Sequence, residues 1–130
     1  YKISPFELES ILLEHPYVQG VDVIERPGPD GAPGIAAAVV LADGVRAGES
    51  ARAGADLAAI GRELNLSVRE VLGGLACPRV ILVLDRCGDE LRGDERRRAL
   101  ARVQLPVGAS TARVSWAQVV AAAEPPSTGP

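Results

Sequence analysis

The sequence has no methionine, one lysine (Lys2), one histidine (His15) and four aromatic residues, Tyr1, Phe6, Tyr17 and Trp116. Without a methionine there is no native start, so the chain is expected to be a fragment or a processed product. With so few aromatics, the core has to be built from Val, Leu, Ile and Ala. One His and two Cys (Cys77 and Cys87) are too few for a structural zinc site. The cysteines flank a predicted strand, Val80–Leu84, about 15 Å long at about 3.3 Å per residue. A disulfide needs Cα atoms within about 7 Å, so two reduced thiols and a cytoplasmic protein are expected. No run approaches the roughly 20 apolar residues of a membrane span, and the opening residues do not read as a signal-type leader, so none is expected. The net charge of -3 leans against a dedicated nucleic-acid binder. The 13 Arg beside one Lys read as coding bias.

The 130 residues suit one domain, long enough to bury roughly two-thirds of the unfolded surface. Ser4, Pro5 and Glu7 form a helix start, with Ser4 as N-cap and Glu7 completing a capping box. Leu8, Ile11 and Leu12 make an apolar face, and Pro16 enforces the stop. The helix is therefore predicted over Pro5–Glu14. A strand follows at Val18–Glu25, then a Pro/Gly turn over Arg26–Gly34. The apolar run Ile35–Leu41 reads as a buried strand antiparallel to the first. Ala42–Ala55 reads as loop. Two helices are predicted next, Asp56–Leu64 and Asn65–Leu72, the second capped at Ser67 and ended by Gly73 and Gly74. Beyond Val80–Leu84 come a polar loop, Asp85–Gly93, and a helix over Glu95–Arg102 with acids first and bases last. Leu105–Thr111 reads as loop, Ala112–Val114 as a short strand, and Ser115–Gln118 as a capping box starting a helix to Ala123. Glu124–Pro130 is expected to be disordered.

Most isolated polar residues have plain explanations. His15 suits a helix C-terminus. Glu7 and Glu9 are two apart on a helix and face different ways, which fits capping and solvation better than an acid pair. Cys77 and Cys87 read as packing residues, with no His nearby in sequence. Arg96, Arg97 and Arg98 read as a solvated or interdomain face, with phosphate binding as the alternative. The Pro-Gly-Pro-Asp-Gly stretch is a turn and lacks the pattern of a phosphate loop.

The opening YKISPFELESILLEHPYV, Tyr1 to Val18, closely resembles the block K-V-S-P-x-E-L-E-x-x-L-x-x-H-P-x-V. That block opens the small C-terminal domain of adenylate-forming enzymes, which include acyl-CoA synthetases, aryl-CoA ligases and peptide-synthetase adenylation domains. The hairpin from Val18 to Leu41, Pro78-Arg79 before Val80–Asp85, and Arg97-Arg98-Ala99-Leu100 resemble later pieces of that domain, in order. The resemblance covers residues 1–103 as the lid domain and leaves 104–130 as an extra tail. It implies an α+β fold, a small mixed three-stranded sheet with a β-hairpin, flanked by helices.

The family carries a lysine in P-x-x-x-x-G-K just before the last helix, where it stabilises charge developing on carboxylate and phosphate. Ungapped counting from Asp85 puts Gly88 at the proline, Gly93 at the glycine and Asp94 at the lysine. No lysine lies downstream of Lys2. Arg92 and Arg96 are candidate substitutes after a small loop shift, although Arg is not a simple replacement. Asp94 itself also reads as an ordinary N-cap. The family's aromatic-Lys-x-Pro stretch is Leu75-Ala76-Cys77-Pro78 here, again without lysine.

By resemblance, the chain is the C-terminal lid of an ATP-dependent acyl- or aryl-CoA ligase of the kind used in fatty acid metabolism. Such a lid rotates between adenylating and thioester-forming poses and is inactive alone. Tyr1, Lys2, Ile3 and Ser4 would line the pantetheine channel. The implied partners are the large N-terminal domain of the same enzyme and coenzyme A or an acyl carrier protein. ATP/Mg2+ and coenzyme A serve the intact enzyme and are not held tightly by the lid alone. The alternative is a non-catalytic lid-like module that binds a carrier protein or a synthetase partner.

Overall fold

The structure is a computed structural model and describes residues 4–42 and 55–123. The elements are α1 (Pro5–Glu14), β1 (Val18–Glu25), β2 (Ile35–Leu41), α2 (Ala55–Leu72), β3 (Val80–Leu84), α3 (Gly93–Arg102), β4 (Thr111–Val114) and α4 (Trp116–Ala123), with a 3-10 turn over Gly74–Ala76. The strands form one mixed sheet in the order β1-β2-β3-β4. β1 and β2 are an antiparallel hairpin, and β3 and β4 are each added in parallel. The parallel pairs are joined through helices, as parallel neighbours require.

Side chains alternate between two cores, one on each face. Ala37, Val39, Leu41, Ile81 and Val83 meet Leu8 and Leu12 of α1 and Ile60, Leu64 and Val68 of α2. Ala36, Ala38, Val80, Leu82 and Leu84 meet Leu100 of α3 and Trp116 and Val119 of α4. Strands covered on both sides read as unbroken apolar runs, which accounts for IAAAVVL in β2 and VILVL in β3. The three expected strands are present, and the short strand expected at Ala112–Val114 is the fourth member of the same sheet. Trp116, just past it, is fully buried.

Several local expectations are corrected. The two helices expected between Asp56 and Leu72 are one continuous helix. The buried stripe Ile60, Leu64 and Val68 runs through the expected break, and the Ser67 hydroxyl donates back to the Glu63 carbonyl (3.4 Å) instead of capping a new helix. Gly73 then ends α2 at φ +91°, a conformation glycine adopts freely. Ser4 takes the N-cap position of α1, but its hydroxyl makes no cap hydrogen bond. Helix α3 begins at Gly93, so Arg92 is its N-cap residue and Asp94 is not. The capping box at the start of α4 is formed: Gln118 N–H donates to Ser115 Oγ (3.2 Å) and Ser115 N–H to Gln118 Oε1 (2.9 Å). The disorder expected at Glu124–Pro130 and most of the loop expected over Ala42–Ala55 lie outside the described residues. Both cysteines are free thiols. No helix among the described residues is long and apolar enough to cross a membrane.

Candidate functional site: the loop leading into α3

The residues singled out by position converge on the C-terminal end of β3. The chain leaves β3 at Leu84, runs through Asp85–Arg92 and enters α3. Gly93 has φ +56°, in the left-handed region where a side chain would be strained. That geometry turns the loop into the helix and sets Asp94 in its first turn. The Asp94 carboxylate is exposed and accepts from Arg97 Nη1 at 3.5 Å. An acid in a first helical turn is favoured by the helix dipole, so Asp94 is stable here without any substrate role.

The two candidate arginines have opposite environments. Arg92 is largely exposed, 3.8 Å from an exposed Asp89 carboxylate. Arg96 instead turns back onto β1. Its Nε donates to Asp22 Oδ2 (2.5 Å) and its Nη2 to Asp22 Oδ1 (3.2 Å), a two-point pairing. Asp22 is only 9% exposed, the one buried charged residue among those described. Hydrogen bonding to Asp22, before any other influence, raises the Arg96 pKa. The exposed Cys87 thiol sits 3.8 Å from Arg96 Nη1. Nearby on α1, Glu9 is pushed above the usual carboxylate range, first by burial and then by the Asp22 charge.

The other end of α3 is fixed as well. Arg26, at the end of β1, donates from Nη1 to the Leu100 carbonyl (2.8 Å) and from Nη2 to the Val103 carbonyl, satisfying acceptors the helix end leaves unpaired. Burial lowers the Arg26 pKa. Arg26 and Asp22 thus tie α3 to β1, and neither stands out as a site residue in the sequence. The one available signal is a charge, Asp22, between Val21 and Val23 in a strand.

The remaining candidates are dispersed. Of Tyr1, Lys2, Ile3 and Ser4, only Ser4 is among the described residues; it is half-buried at the start of α1, on the opposite sheet face from α3. His15 sits at the end of α1, where its Nδ1 accepts from Tyr17 N–H (3.1 Å) and its Nε2 lies 3.7 Å from Glu63. Among the described residues, no three His, Cys, Asp or Glu side chains gather as a metal site. A surface groove of about 440 Å3 runs along α2, lined by Arg62, Asn65 and Arg69. A second, also about 440 Å3, lies between α1 and α2 beside Phe6 and Val71. Neither borders the loop before α3.

A hairpin extended by two helical crossovers, with its charged loop at the end of the central parallel strand, defines a small α+β domain. Comparison with known proteins places it more closely. The family profile described as the AMP-binding enzyme C-terminal domain matches residues 7–88. Acetyl-coenzyme A synthetase of Bacillus subtilis is 30% identical over 109 residues, 82% of this chain and 18% of that protein. Acetyl-coenzyme A synthetase 1 of Candida albicans is 31% identical over 103 residues, 79% of this chain and 14% of that protein. Among solved structures, an acyl-CoA synthetase from Brucella canis superposes with a TM-score of 0.52 at 33% identity, covering 67% of this chain and 14% of that one. A mutant of the amide bond synthetase McbA from Marinactinospora thermotolerans gives 0.50 at 32% identity, covering 68% and 16%. The chain belongs to the AMP-binding enzyme C-terminal domain family, and it spans less than a fifth of the length of these relatives.

Proposed function

We propose that this domain is the closing lid of an ATP-dependent acyl- or aryl-CoA ligase. The ligase joins a carboxylic acid to the AMP moiety of ATP, releasing pyrophosphate, and then passes the acyl group to the thiol of coenzyme A, releasing AMP. The observation that carries the reading is the family match over residues 7–88, which runs through β3 and ends inside the exposed, charged loop Asp85–Arg92. ATP with its Mg2+, the acid and coenzyme A are substrates of the whole enzyme. The lid's share is to close over the reacting groups of a large N-terminal domain and exclude water by rigid-body rotation. Tyr1–Ser4 is the proposed pantetheine contact.

The lid is impaired in its adenylating role. Asp94 stands where a cation would meet carboxylate and phosphate, and Arg96 is committed to Asp22. Arg92, the exposed cation of the loop next to α3, supplies what residual stabilisation there is. The second reading, a lid-like module that docks a carrier protein or a synthetase, is favoured by the same Asp94. One experiment separates the two. The full-length protein is incubated with ATP, Mg2+, a panel of short, long and aromatic carboxylic acids, and coenzyme A. AMP release matched by thioester formation with at least one acid is expected. Neither product with any acid, together with a stable complex with acyl carrier protein, would replace the ligase by the docking module.

A further inference from the structure

The loop that carries Arg92 is not left to its own conformation. Three contacts tie it to α4. The Asp85 carboxylate at its start accepts from the backbone N–H of Trp116 at 2.7 Å, capping α4 from the end of the neighbouring strand, and also from Arg86 N–H at 2.8 Å. Near its end, Glu90 Oε1 accepts from the Trp116 indole Nε1 at 2.9 Å. Between them Gly88 passes so close to the indole that a Cβ there would stand 2.5 Å from Nε1. Trp116 is fully buried against Leu82, Leu84, Leu91 and Leu100, so the indole is a fixed anchor and the exposed loop is the part it restrains. The sequence fits this arrangement. The position that resembles the family's proline is Gly88, the residue the buried indole can tolerate.

We infer that Trp116, through Glu90 and Asp85, is a positioning residue that holds the Asp85–Arg92 loop in the shape that presents Arg92 ahead of α3. The consequence for catalysis rests on the ligase reading; the restraint on the loop does not. The indole bond also holds the Glu90 carboxyl below the usual carboxylate range, with a smaller contribution from Arg86. An anionic acceptor makes this a stronger bond than a neutral pair.

The test uses Trp116→Phe and Glu90→Ala, which remove the indole bond, and Glu90→Gln, whose amide oxygen can still accept it. In the 130-residue chain, the NMR backbone order parameter over residues 86–92 is expected to fall from the rigid range, about 0.85, towards about 0.6 in the first two variants, and to fall less in Glu90→Gln, which keeps a neutral bond in place of the charge-assisted one. Because Trp116 is the only tryptophan, its emission is expected to shift in Glu90→Ala and not in Glu90→Gln. In the full-length protein, acid-dependent ATP–pyrophosphate exchange is expected to fall about tenfold in kcat, with little change in KM, in Glu90→Ala and to recover in Glu90→Gln. Unchanged order parameters over residues 86–92 in Trp116→Phe and Glu90→Ala overturn the restraint. A loosened loop with unaltered kcat overturns the positioning role while leaving the ligase reading intact. Wild-type protein without any acid-dependent turnover is instead a failure of the ligase reading, visible before a variant is made.

Discussion

Replacing Asp94 by lysine is expected to raise acid-dependent ATP–pyrophosphate exchange in the full-length protein by about a hundredfold or more. The reason is one of sign. Asp94 projects from the first turn of α3 with its carboxylate exposed, and the proposed substrates at that place are a carboxylate and a phosphate. Unit charges about 4 Å apart interact by about 1 kcal/mol in water and about 4 at an intermediate dielectric. Changing repulsion to attraction doubles the difference, and each 1.4 kcal/mol or so is a decade of rate. The first turn of α3 can accept the change locally. The bond that Asp94 makes to Arg97 is long and exposed, so little stability is lost with it. Exchange that stays at the wild-type level in a folded Asp94→Lys protein would show that this turn does not approach the reacting phosphate.

The second large effect is on stability. Arg96→Leu is expected to destabilise the domain by about 3 kcal/mol, because it strands the Asp22 carboxylate under α3 without its partner. For a domain of this size that is a fall in melting temperature of roughly 10 °C. The double variant Asp22→Leu/Arg96→Leu should recover most of the loss, since an apolar pair of similar size commonly matches a buried ion pair. Thermal unfolding of the two single variants and the double variant gives the coupling directly. If Arg96→Leu melts with wild type, the pair is not holding α3 to β1, and Arg96 regains its place as a candidate for the missing cation.

The elements that read most clearly in the sequence are those whose signals are local. Helix α1 and strands β1, β2 and β3 occupy the residues expected of them. Pro5 and Pro16 bracket the helix, and the strands are short apolar runs between turn residues. Helix α2 was harder because Asn65 and Ser67 mimic a cap, while the stripe that overrides them comes from packing on β2 and β3. The hydrogen-bonding partners of the site were not legible. Asp22 with Arg96, Arg26 with Leu100 and Trp116 with Glu90 are 74, 74 and 26 residues apart. Nothing in spacing or periodicity connects such pairs until the sheet has brought β1, β3 and α4 around α3. The importance of Trp116 was hidden for the same reason: its segment read as tail, and only its place in the second core gives it weight.

The lid proposed here serves a ligase and is deficient in adenylation while competent for thioester formation. Its most direct test compares the two half-reactions of the full-length protein. One assay supplies acid with ATP and Mg2+ and follows AMP and thioester in the presence of coenzyme A; the other supplies the preformed acyl-adenylate with coenzyme A. Thioester formation from the acyl-adenylate is expected to be at least about a hundredfold faster than from the free acid, the deficit that Asp94 should impose. Equal rates from both starting points would contradict the proposed role of Asp94, and no thioester from either would contradict the assignment as a ligase lid.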